Sequence, residues 1–223
     1  VSATMPDGSA LPLGGEPVVL DPADFGGPID NPYWPMTPGA RWVYSESDGE
    51  VGTQQVEVTV TDDTREILGI TAVVVHDVVS EGGQQVEVTD DWYAQDSAGN
   101  VWYFGEDTAE YENGKLKTRS GSFEAGVDGA DAGIAMPAQP EVGQTYRQEY
   151  YAGQAEDRTA VLSLDEQAQS PFGHFNDVLL TKDYTPIEPD VLEYKLYAKG
   201  VGQVLAVTVS GGSEREELVS YTK

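Results

Sequence analysis

Alternating hydrophobic and polar positions run along most of the chain and predict β-strands. In residues 55–61 (QVEVTVT) valines alternate strictly with polar residues, so one face of this strand meets a core and the other meets water. Residues 72–79 (AVVVHDVV) are apolar on both faces, as a central strand would be. Short strands recur to the C terminus without a long helical pattern. The sequence predicts an all-β fold, a single antiparallel meander that forms a curved sheet, a half-barrel or a barrel, with very little helix.

An aromatic hairpin stands at the centre of this pattern, in residues 90–112 (DDWYAQDSAGNVWYFGEDTAEYE). Two aromatic segments, residues 91–94 and 101–104, flank a polar turn at residues 95–100. The second aromatic segment runs directly into acidic residues. We therefore expect a β-hairpin with an aromatic body and an acidic rim.

The residues after the hairpin predict a turn, a strand and a long loop. Asn113-Gly114 is a favourable turn signal, and residues 115–123 predict a returning strand. Residues 124–143 have no usable period and predict a loop of about twenty residues. Such a loop is either a lid that contacts a ligand or a crossover that closes one end of the fold.

The N-terminal residues 1–38 are rich in Gly, Pro and Asp and predict an irregular but ordered segment. Asp21 as N-cap and Pro22 in the first helical position predict one short helical turn. We expect the segment to pack on a single β-meander domain formed by residues 39–223. The apolar residues that would make this contact are Leu20, Phe25, Tyr33 and Trp34.

Composition restricts the partners of the protein. Asp and Glu number 39 against 12 Lys and Arg, which gives a formal net charge of −27 over 223 residues. Such a surface repels nucleic acid and anionic lipid headgroups, so we expect no nucleic-acid binding. The chain has no cysteine and therefore no disulfide or thiolate metal site. No apolar run approaches the roughly 18 residues of a transmembrane helix, and no transmembrane segment is predicted.

Three segments of the sequence resemble a family of uncharacterised bacterial secreted proteins and lipoproteins of the half-barrel or lipocalin-like meander type. They are residues 31–42 (NPYWPMTPGARW), the aromatic hairpin, and residues 171–204, where PFGHFNDVL is followed by YAKGVGQV. The resemblance covers about residues 30–221. It implies an extracellular or cell-surface location and carries over no catalytic residues. The chain begins at Val1, as a processed product would, and we expect any signal or lipid anchor to belong to the precursor.

Motifs for nucleophilic catalysis are absent from the sequence. It contains no Gly-x-Ser-x-Gly elbow, no phosphate-binding Gly-rich loop and no cysteine nucleophile. His76 lies in a valine-rich strand and is predicted to be a hydrogen-bonded core residue, whereas His174 lies at a predicted turn and would be exposed. Two histidines so placed do not predict a transition-metal site.

Carboxylates are the remaining candidates for chemistry, because a hard cation such as calcium binds several oxygen ligands. The sequence lacks the spacing of a helix-loop-helix calcium loop, so a calcium site would need ligands from separate turns. The predicted ligands are Asp91, Asp96, Glu106, Asp107, Asp128 and Asp131. The alternative interpretation is a solvated acidic surface that keeps the protein soluble.

Two classes of function remain, and the sequence favours the first. The first is a non-enzymatic extracytoplasmic protein that binds a small molecule, lipid or carbohydrate, with an apolar or sugar-like ligand held in the concavity of the sheet. Its predicted ligand-binding residues are Trp34, Trp92, Tyr93, Trp102, Tyr103, Glu106 and Tyr150, although aromatic residues at these positions also suit a plain core. The second is a glycosidase-like hydrolase that uses two carboxylates, with Glu106, Asp107 and Glu149 as candidates.

Calcium binding predicts a specific change in thermal stability. If calcium binds the folded state, adding it to chelator-treated protein raises the melting temperature by mass action. Magnesium, and sodium chloride at matched ionic strength, would then have smaller effects. An equal rise with every salt would instead show that the salts only screen the negative surface.

Overall fold

The computed structural model describes residues 3–47 and 53–223. In this part of the chain the regular structure is a 3₁₀ helix, Pro22–Asp24, and fifteen strands, and no α-helix occurs. No helix in these residues has the length and hydropathy needed to cross a membrane. The strands are β1 (Arg41–Ser47), β2 (Thr53–Ile67), β3 (Ile70–Glu81), β4 (Gln84–Gln95), β5 (Val101–Glu112), β6 (Lys115–Thr118), β7 (Phe123–Glu124), β8 (Asp131–Met136), β9 (Thr145–Arg147), β10 (Glu149–Tyr150), β11 (Arg158–Ser170), β12 (Gly173–Tyr184), β13 (Leu192–Ala198), β14 (Gly202–Ser210) and β15 (Arg215–Thr222).

All of the strands belong to one antiparallel sheet that is curved and not closed. Strands β1 to β5 form one meander and β11 to β15 form another, and β1 pairs with β15 to join the two. Beyond β5 the sheet continues through β8 and β10, while the short strands β6 and β7 also pair with β5. The predicted all-β antiparallel meander with very little helix is confirmed.

Residues 145–150 form both edge strands of this sheet, β9 and β10. Strand β9 pairs with β11 and β10 pairs with β8, yet a single residue, Gln148, separates β9 from β10. The backbone of Gln148 passes directly against Gly133 in β8, where a Cβ atom would collide with it. The close approach of these two backbones therefore requires a glycine at position 133.

Strand β8 corrects the predicted loop over residues 124–143. Asp131–Met136 is a strand, and residues 132–136 are buried. Its sequence, DAGIAM, gives no clear alternation, and its glycine is required by the close approach of Gln148. The strand predicted over residues 115–123 is also interrupted, since β6 ends at Thr118 and β7 begins at Phe123.

Trp34 shows how strongly the sheet curves. Its ring centroid lies 5.7 Å from that of Tyr93 in β4 and 5.8 Å from that of Tyr197 in β13. These two strands are six steps apart in the sheet, which would be about 30 Å in a flat sheet. One indole can contact both only if the sheet bends around it. We call the face that turns toward Trp34 the inner face.

The N-terminal segment contacts both faces of the aromatic hairpin. Phe25 packs edge-on against Phe104 on the outer face, with ring centroids 6.0 Å apart. Buried Asn31 lies at the hairpin turn, where its Nδ2 donates to the carbonyl oxygens of Gly99 and Pro137 at 3.1 and 3.0 Å. Trp34 then lies on the inner face. The segment thus passes from the outer face to the inner face around the turn.

The predicted helical turn in this segment is present. Asp21 caps it, with its Oδ1 accepting a hydrogen bond from the Ala23 backbone N–H at 2.9 Å, and Pro22 is the first helical residue. The turn is a 3₁₀ helix rather than part of an α-helix, as its three-residue length requires.

Arg147 ties the N-terminal segment to the ends of the sheet. Its side chain is 1% exposed. Nη1 donates to the carbonyl oxygens of Gly14 and Glu16, while Nε and Nη2 donate to Ala132 O at 3.2 and 3.0 Å. Nη2 also lies 3.8 Å from Asp131 Oδ2. Burial of this charge is acceptable because backbone carbonyls and a carboxylate surround it.

The contact at Gly133 gives a stability prediction. We expect Gly133→Ala to destabilise the protein by about 1–3 kcal/mol or more, because its Cβ would displace the backbone of Gln148. This corresponds to a melting temperature lower by at least about 2 °C, measured by thermal denaturation. Gly173→Ala is the matched control, since Gly173 is also a strand glycine but a Cβ there meets nothing within 4 Å. Equal melting temperatures for the two variants would contradict the close approach.

Candidate functional site

A cavity of about 300 Å³ lies within the curve of the sheet. Its walls come from strands far apart in the sheet order, on both sides of the β1–β15 junction, and from the N-terminal segment. Aromatic, aliphatic and charged side chains all contribute. The lining residues are Trp34, Pro35, Met36, Trp42, Tyr44, Val56, Val58, Val75, Asp77, Asp91, Tyr93, Lys195, Gly202, Gln203 and Glu216.

A second cavity of about 190 Å³ adjoins the first. Trp34, Tyr93 and Lys195 line both cavities and therefore form the boundary between them. The second cavity also contains Glu149 and Asp157, and its remaining lining residues are Tyr103, Ala135, Gln148 and Tyr197.

The register of the strands places carboxylates on the inner face. Residues directly opposite each other on antiparallel strands point to the same face, as do residues two apart along one strand. Asp91 in β4 lies opposite Val75 in β3 on one side and opposite Glu106 in β5 on the other. Asp77 is two residues from Val75 and shares its face. Three carboxylates of neighbouring strands therefore point inward.

The other half of the sheet contributes an acid and a base in the same way. Glu216 in β15 lies opposite Ala206 in β14, and Ala206 lies opposite Lys195 in β13. Curvature of the sheet then brings Glu216 and Lys195 to the same cavity as Asp77 and Asp91. The inner face thus combines many carboxylates with few cations.

A tyrosine hydroxyl lies between Asp91 and Glu106. Tyr103 Oη is 2.8 Å from Asp91 Oδ1 and 2.8 Å from Glu106 Oε2. A phenol has one proton to donate, so it cannot donate a full hydrogen bond to both carboxylates. The arrangement is best satisfied when one of the two carboxyl groups is protonated and donates to the phenol oxygen.

The pKa values of the inner carboxyl groups agree with this proton count. Burial, followed by the charge of Glu106, raises the pKa of Asp91 to about 7. Burial also raises the pKa of Glu216 to about 7 and that of Glu149 to about 8. For Asp77, burial and then the charges of Asp91 and Glu216 raise the pKa well above its ordinary value. Several of these groups therefore hold protons near neutral pH.

Lys195 is the one cationic side chain among the described residues that line the two cavities. Its Nζ lies 3.2 Å from Asp183 Oδ2 and 3.2 Å from Glu193 Oε2. Burial disfavours the ammonium form, but these two carboxylates outweigh it and raise the pKa of Lys195 well above its ordinary value. Lys195 is therefore a permanent charge that is already held by two partners.

Two buried polar atoms that belong to cavity-lining residues have no hydrogen-bond partner in the described part of the chain. They are the acceptor Asp77 Oδ1 and the donor Trp34 Nε1. An unpaired buried polar group destabilises a fold, typically by about 1–3 kcal/mol. A polar molecule in the cavity would satisfy both atoms.

Comparisons with known proteins identify no family and no activity for this chain. No protein-family model matches the chain, and no curated protein matches it in sequence. Among solved structures it is similar to a protein from Bacteroides fragilis inferred to be exported, with a YmcC-like fold, at 14% identity and a TM-score of 0.49, covering 85% of this chain and 98% of that one. It is also similar to an inferred lipoprotein from Parabacteroides distasonis, at 13% identity and a TM-score of 0.44, covering 84% of this chain and 97% of that one.

The structure divides the predicted ligand-binding residues into two groups. Trp34 and Tyr93 line both cavities, Tyr103 lines the second, and Glu106 lies on the inner face beside Tyr103. Trp92, Trp102 and Tyr150 line neither cavity. Trp92 and Trp102 point to the outer face, where Arg65 stacks on Trp92 and the fully buried Trp102 donates to Asp96 Oδ2 at 2.8 Å.

The predicted calcium ligands are not gathered at one place. Asp91 and Glu106 face inward, whereas Asp107 is exposed and pairs with Arg119. Asp96 is buried at the hairpin turn, Asp128 is exposed in a turn, and Asp131 faces Arg147. In residues 3–47 and 53–223 no three His, Cys, Asp or Glu side chains come together in a way that could hold a metal ion.

His76 was predicted to be buried and His174 to be exposed, and only the second prediction is confirmed. His174 is exposed, as predicted. His76 is hydrogen-bonded, since its Nδ1 lies 2.7 Å from Asp90 Oδ1, but its side chain is 43% exposed. The prediction of a core histidine is therefore wrong: His76 occupies the outer face of β3, where the neighbouring strand supplies an acidic partner.

Sequence reasoning missed several residues of the cavities. Asp77 is the one acidic residue of the valine-rich run 72–79, and its position two residues from Val75 could have identified it as facing the same side as that valine. Glu216, Gln203 and Lys195 come from the C-terminal strands, and nothing local in the sequence connects them with the hairpin. Only the pairing of β1 with β15 brings them there.

The inner carboxyl groups predict that stability falls as the pH rises. Between about pH 4, near the ordinary pKa of Asp, and about pH 7, the folded state binds more protons than the unfolded state, because Asp91 stays protonated in the fold. We expect Asp91→Asn to reduce the loss of stability between pH 5 and pH 8 by about 1–3 kcal/mol, measured as unfolding free energy in denaturant.

Asp62→Asn is the matched control for this measurement, because Asp62 is exposed in β2. It removes the same charge and should leave the pH dependence close to that of the unmodified protein. Parallel stability curves for the unmodified protein and Asp91→Asn would contradict the buried protonated carboxyl group.

Proposed function

We propose that this protein is a non-enzymatic binding protein that holds a small sugar-like ligand in the concavity of its sheet. The observation that carries the proposal is the larger cavity, in which aromatic side chains and carboxyl groups face one another. Its volume lies at the lower end of the range for small-molecule sites, about 300–1,000 Å³. Trp34, Trp42, Tyr44 and Tyr93 offer ring faces and edges for a sugar to pack against.

The polar lining favours a hydroxylated ligand over an apolar one. An apolar chain in this cavity would leave Asp77 Oδ1 and Trp34 Nε1 without a hydrogen-bond partner, and burying such groups unpaired is costly. Hydroxyl groups can both donate to carboxylates and accept from Trp34 Nε1. The carboxyl-lined cavity therefore suits a carbohydrate better than a lipid.

An extracytoplasmic location is part of this proposal. It rests on the three sequence segments that resemble secreted proteins and lipoproteins. The two similar structures are named as an exported protein and a lipoprotein, which agrees with this location. Calcium is not included, because the described residues offer no ligand set for it.

A glycosidase-like hydrolase is the second candidate function. The observation that favours it is that Glu149 and Asp157 line the second cavity together. Burial raises the pKa of both groups, that of Glu149 to about 8, which suits a general acid. Asp107 has no part in it, because this residue is exposed and pairs with Arg119. Hydrolysis of a chromogenic glycoside that disappears in Glu149→Gln would favour this candidate over the binding protein.

Ligand binding in the cavity predicts a thermal shift that depends on Trp34. The panel consists of neutral, amino and uronic monosaccharides together with decanoate. We expect at least one sugar to raise the melting temperature by a few degrees at about 100 times its dissociation constant. Trp34→Ala should remove this rise, whereas decanoate should give none.

Trp92→Phe is the control variant, because Trp92 lies on the outer face of the aromatic hairpin and lines neither cavity. It should keep the full ligand-dependent shift even if its own melting temperature is lower. A panel without any stabilising sugar, or a shift that persists in Trp34→Ala, would rule out a sugar site in this cavity.

A further inference from the structure

The inner face carries opposed carboxyl groups without the basic side chains that accompany such a pair on the outer face. On the outer face Asp90 lies opposite Asp107, and His76 and Arg119 pair with them. On the inner face Asp91 lies opposite Glu106, and neither forms an ion pair within the described residues. Like charges directly opposite each other on paired strands are destabilising. The inner pair thus has no basic partner of the kind that the outer pair has, and it avoids like-charge repulsion only while one of its carboxyl groups is protonated.

The cation that lines the cavity does not fill this role. Lys195 Nζ is held by Asp183 and Glu193 at 3.2 Å each. Its charge lowers the pKa of Glu216, yet burial and the charge of Glu46 still raise that pKa to about 7. The three acidic residues that line the larger cavity are Asp77, Asp91 and Glu216.

An independent observation points to a ligand that donates hydrogen bonds. Asp77 Oδ1 is buried, belongs to the cavity wall and accepts no hydrogen bond from the described residues. Glu216 Oε1 accepts a hydrogen bond from Gln203 Nε2 at 2.5 Å, and Asp91 Oδ1 has the hydroxyl of Tyr103. The unpaired acceptor, Asp77 Oδ1, therefore lies on the same cavity wall as Asp91 and Glu216.

We propose that the ligand of the larger cavity carries a primary ammonium group on a hydroxylated frame, as an amino sugar does. This inference rests on the proposed binding function and specifies the charge of its ligand. An ammonium group has three N–H donors and no acceptor, which matches a wall of carboxyl oxygens. Aromatic faces within about 6 Å of a cation attract it further, and Trp34, Trp42, Tyr44 and Tyr93 line the same space.

The hydroxyl groups of the frame match the remaining unpaired atom. Trp34 Nε1 is a buried donor without a partner in the described residues, and an ammonium group cannot accept from it. A hydroxyl oxygen can. One ligand with both groups would therefore satisfy the unpaired acceptor and the unpaired donor of the cavity together.

Three related sugars test the charge of the ligand. Glucosamine carries the ammonium group, glucose replaces it with a hydroxyl group, and N-acetylglucosamine keeps the nitrogen without the charge. Binding is measured by titration calorimetry in about 150 mM sodium chloride, which screens attraction to the exposed acidic surface. We expect glucosamine to bind at least about tenfold more tightly than either neutral sugar, because it gains charge-assisted hydrogen bonds.

Substitutions in the cavity wall locate the binding. We expect Asp77→Asn and Glu216→Gln each to weaken glucosamine binding by about tenfold or more. The matched surface controls are Asp62→Asn and Glu188→Gln, because both residues are exposed. They remove the same charge from the protein and should leave the affinity unchanged. The cavity variants are expected to fold, since they replace groups that burial already favours in the uncharged form.

Proton release is a second readout of the same contact. A cation in the cavity favours the ionised carboxyl groups, so binding should release protons at pH 7, seen as heats that vary with the ionisation enthalpy of the buffer. The groups that face Asp77 are the acids Asp91 and Glu106 of the hairpin, Glu87 of β4 and Glu216 of β15. Lys195 opposes their effect on Glu216. Asp77→Asn should reduce the number of protons released.

The outcomes separate this inference from the proposed function. Equal or tighter binding of glucose or N-acetylglucosamine, lost in Trp34→Ala, would overturn the ammonium ligand and keep the sugar site. Glucosamine binding that weakens equally in the cavity and surface variants would overturn the inference as attraction to the acidic surface only. If none of the three sugars binds and no other sugar of the panel does, both the inference and the proposed function are wrong.

Discussion

The tight curvature of the sheet around Trp34 is the constraint on which the rest of the structure depends. The indole contacts Tyr93 and Tyr197, which belong to strands six steps apart. Because Trp34 contacts aromatic residues of both meanders, the N-terminal segment contributes to the wall of the cavity. Asn31 anchors that segment at the hairpin turn, and Arg147 anchors it at the sheet ends.

Curvature also concentrates charge. Carboxylates that would be spread over a flat sheet face one another across the concavity, and burial raises the pKa values of Asp77, Asp91, Glu149 and Glu216. Hydrophobic residues at these positions would stabilise the fold more, so the acidic lining opposes stability. Unfavourable buried groups of this kind are typical of binding and catalytic sites, and this is the physical reason for assigning function to the inner face.

Part of this site could have been predicted from local periodicity, although Trp92, Tyr93, Trp102 and Tyr103 were predicted together as ligand-binding residues. Alternation along the hairpin places Tyr93 and Tyr103 on one face and Trp92 and Trp102 on the other, so the four aromatic residues could not all bind one ligand. The structure assigns the tyrosines to the cavity and the two tryptophans to the packing of the outer face. Strand β8 was not recognised because its small residues reflect a close backbone contact with Gln148, which is a tertiary requirement without a local pattern.

The sequence by itself determined the all-β class, the aromatic hairpin, the capped turn at Asp21 and the strongly acidic character, because each depends on neighbouring residues or on composition. The tertiary structure decided which carboxylates act together. Asp77 and Glu216 are far apart in the chain, and they share a cavity because β1 pairs with β15 and the joined sheet then bends around Trp34. Strand alternation specifies which face a side chain occupies, but the pairing of distant strands and the curvature of the sheet decide what it faces.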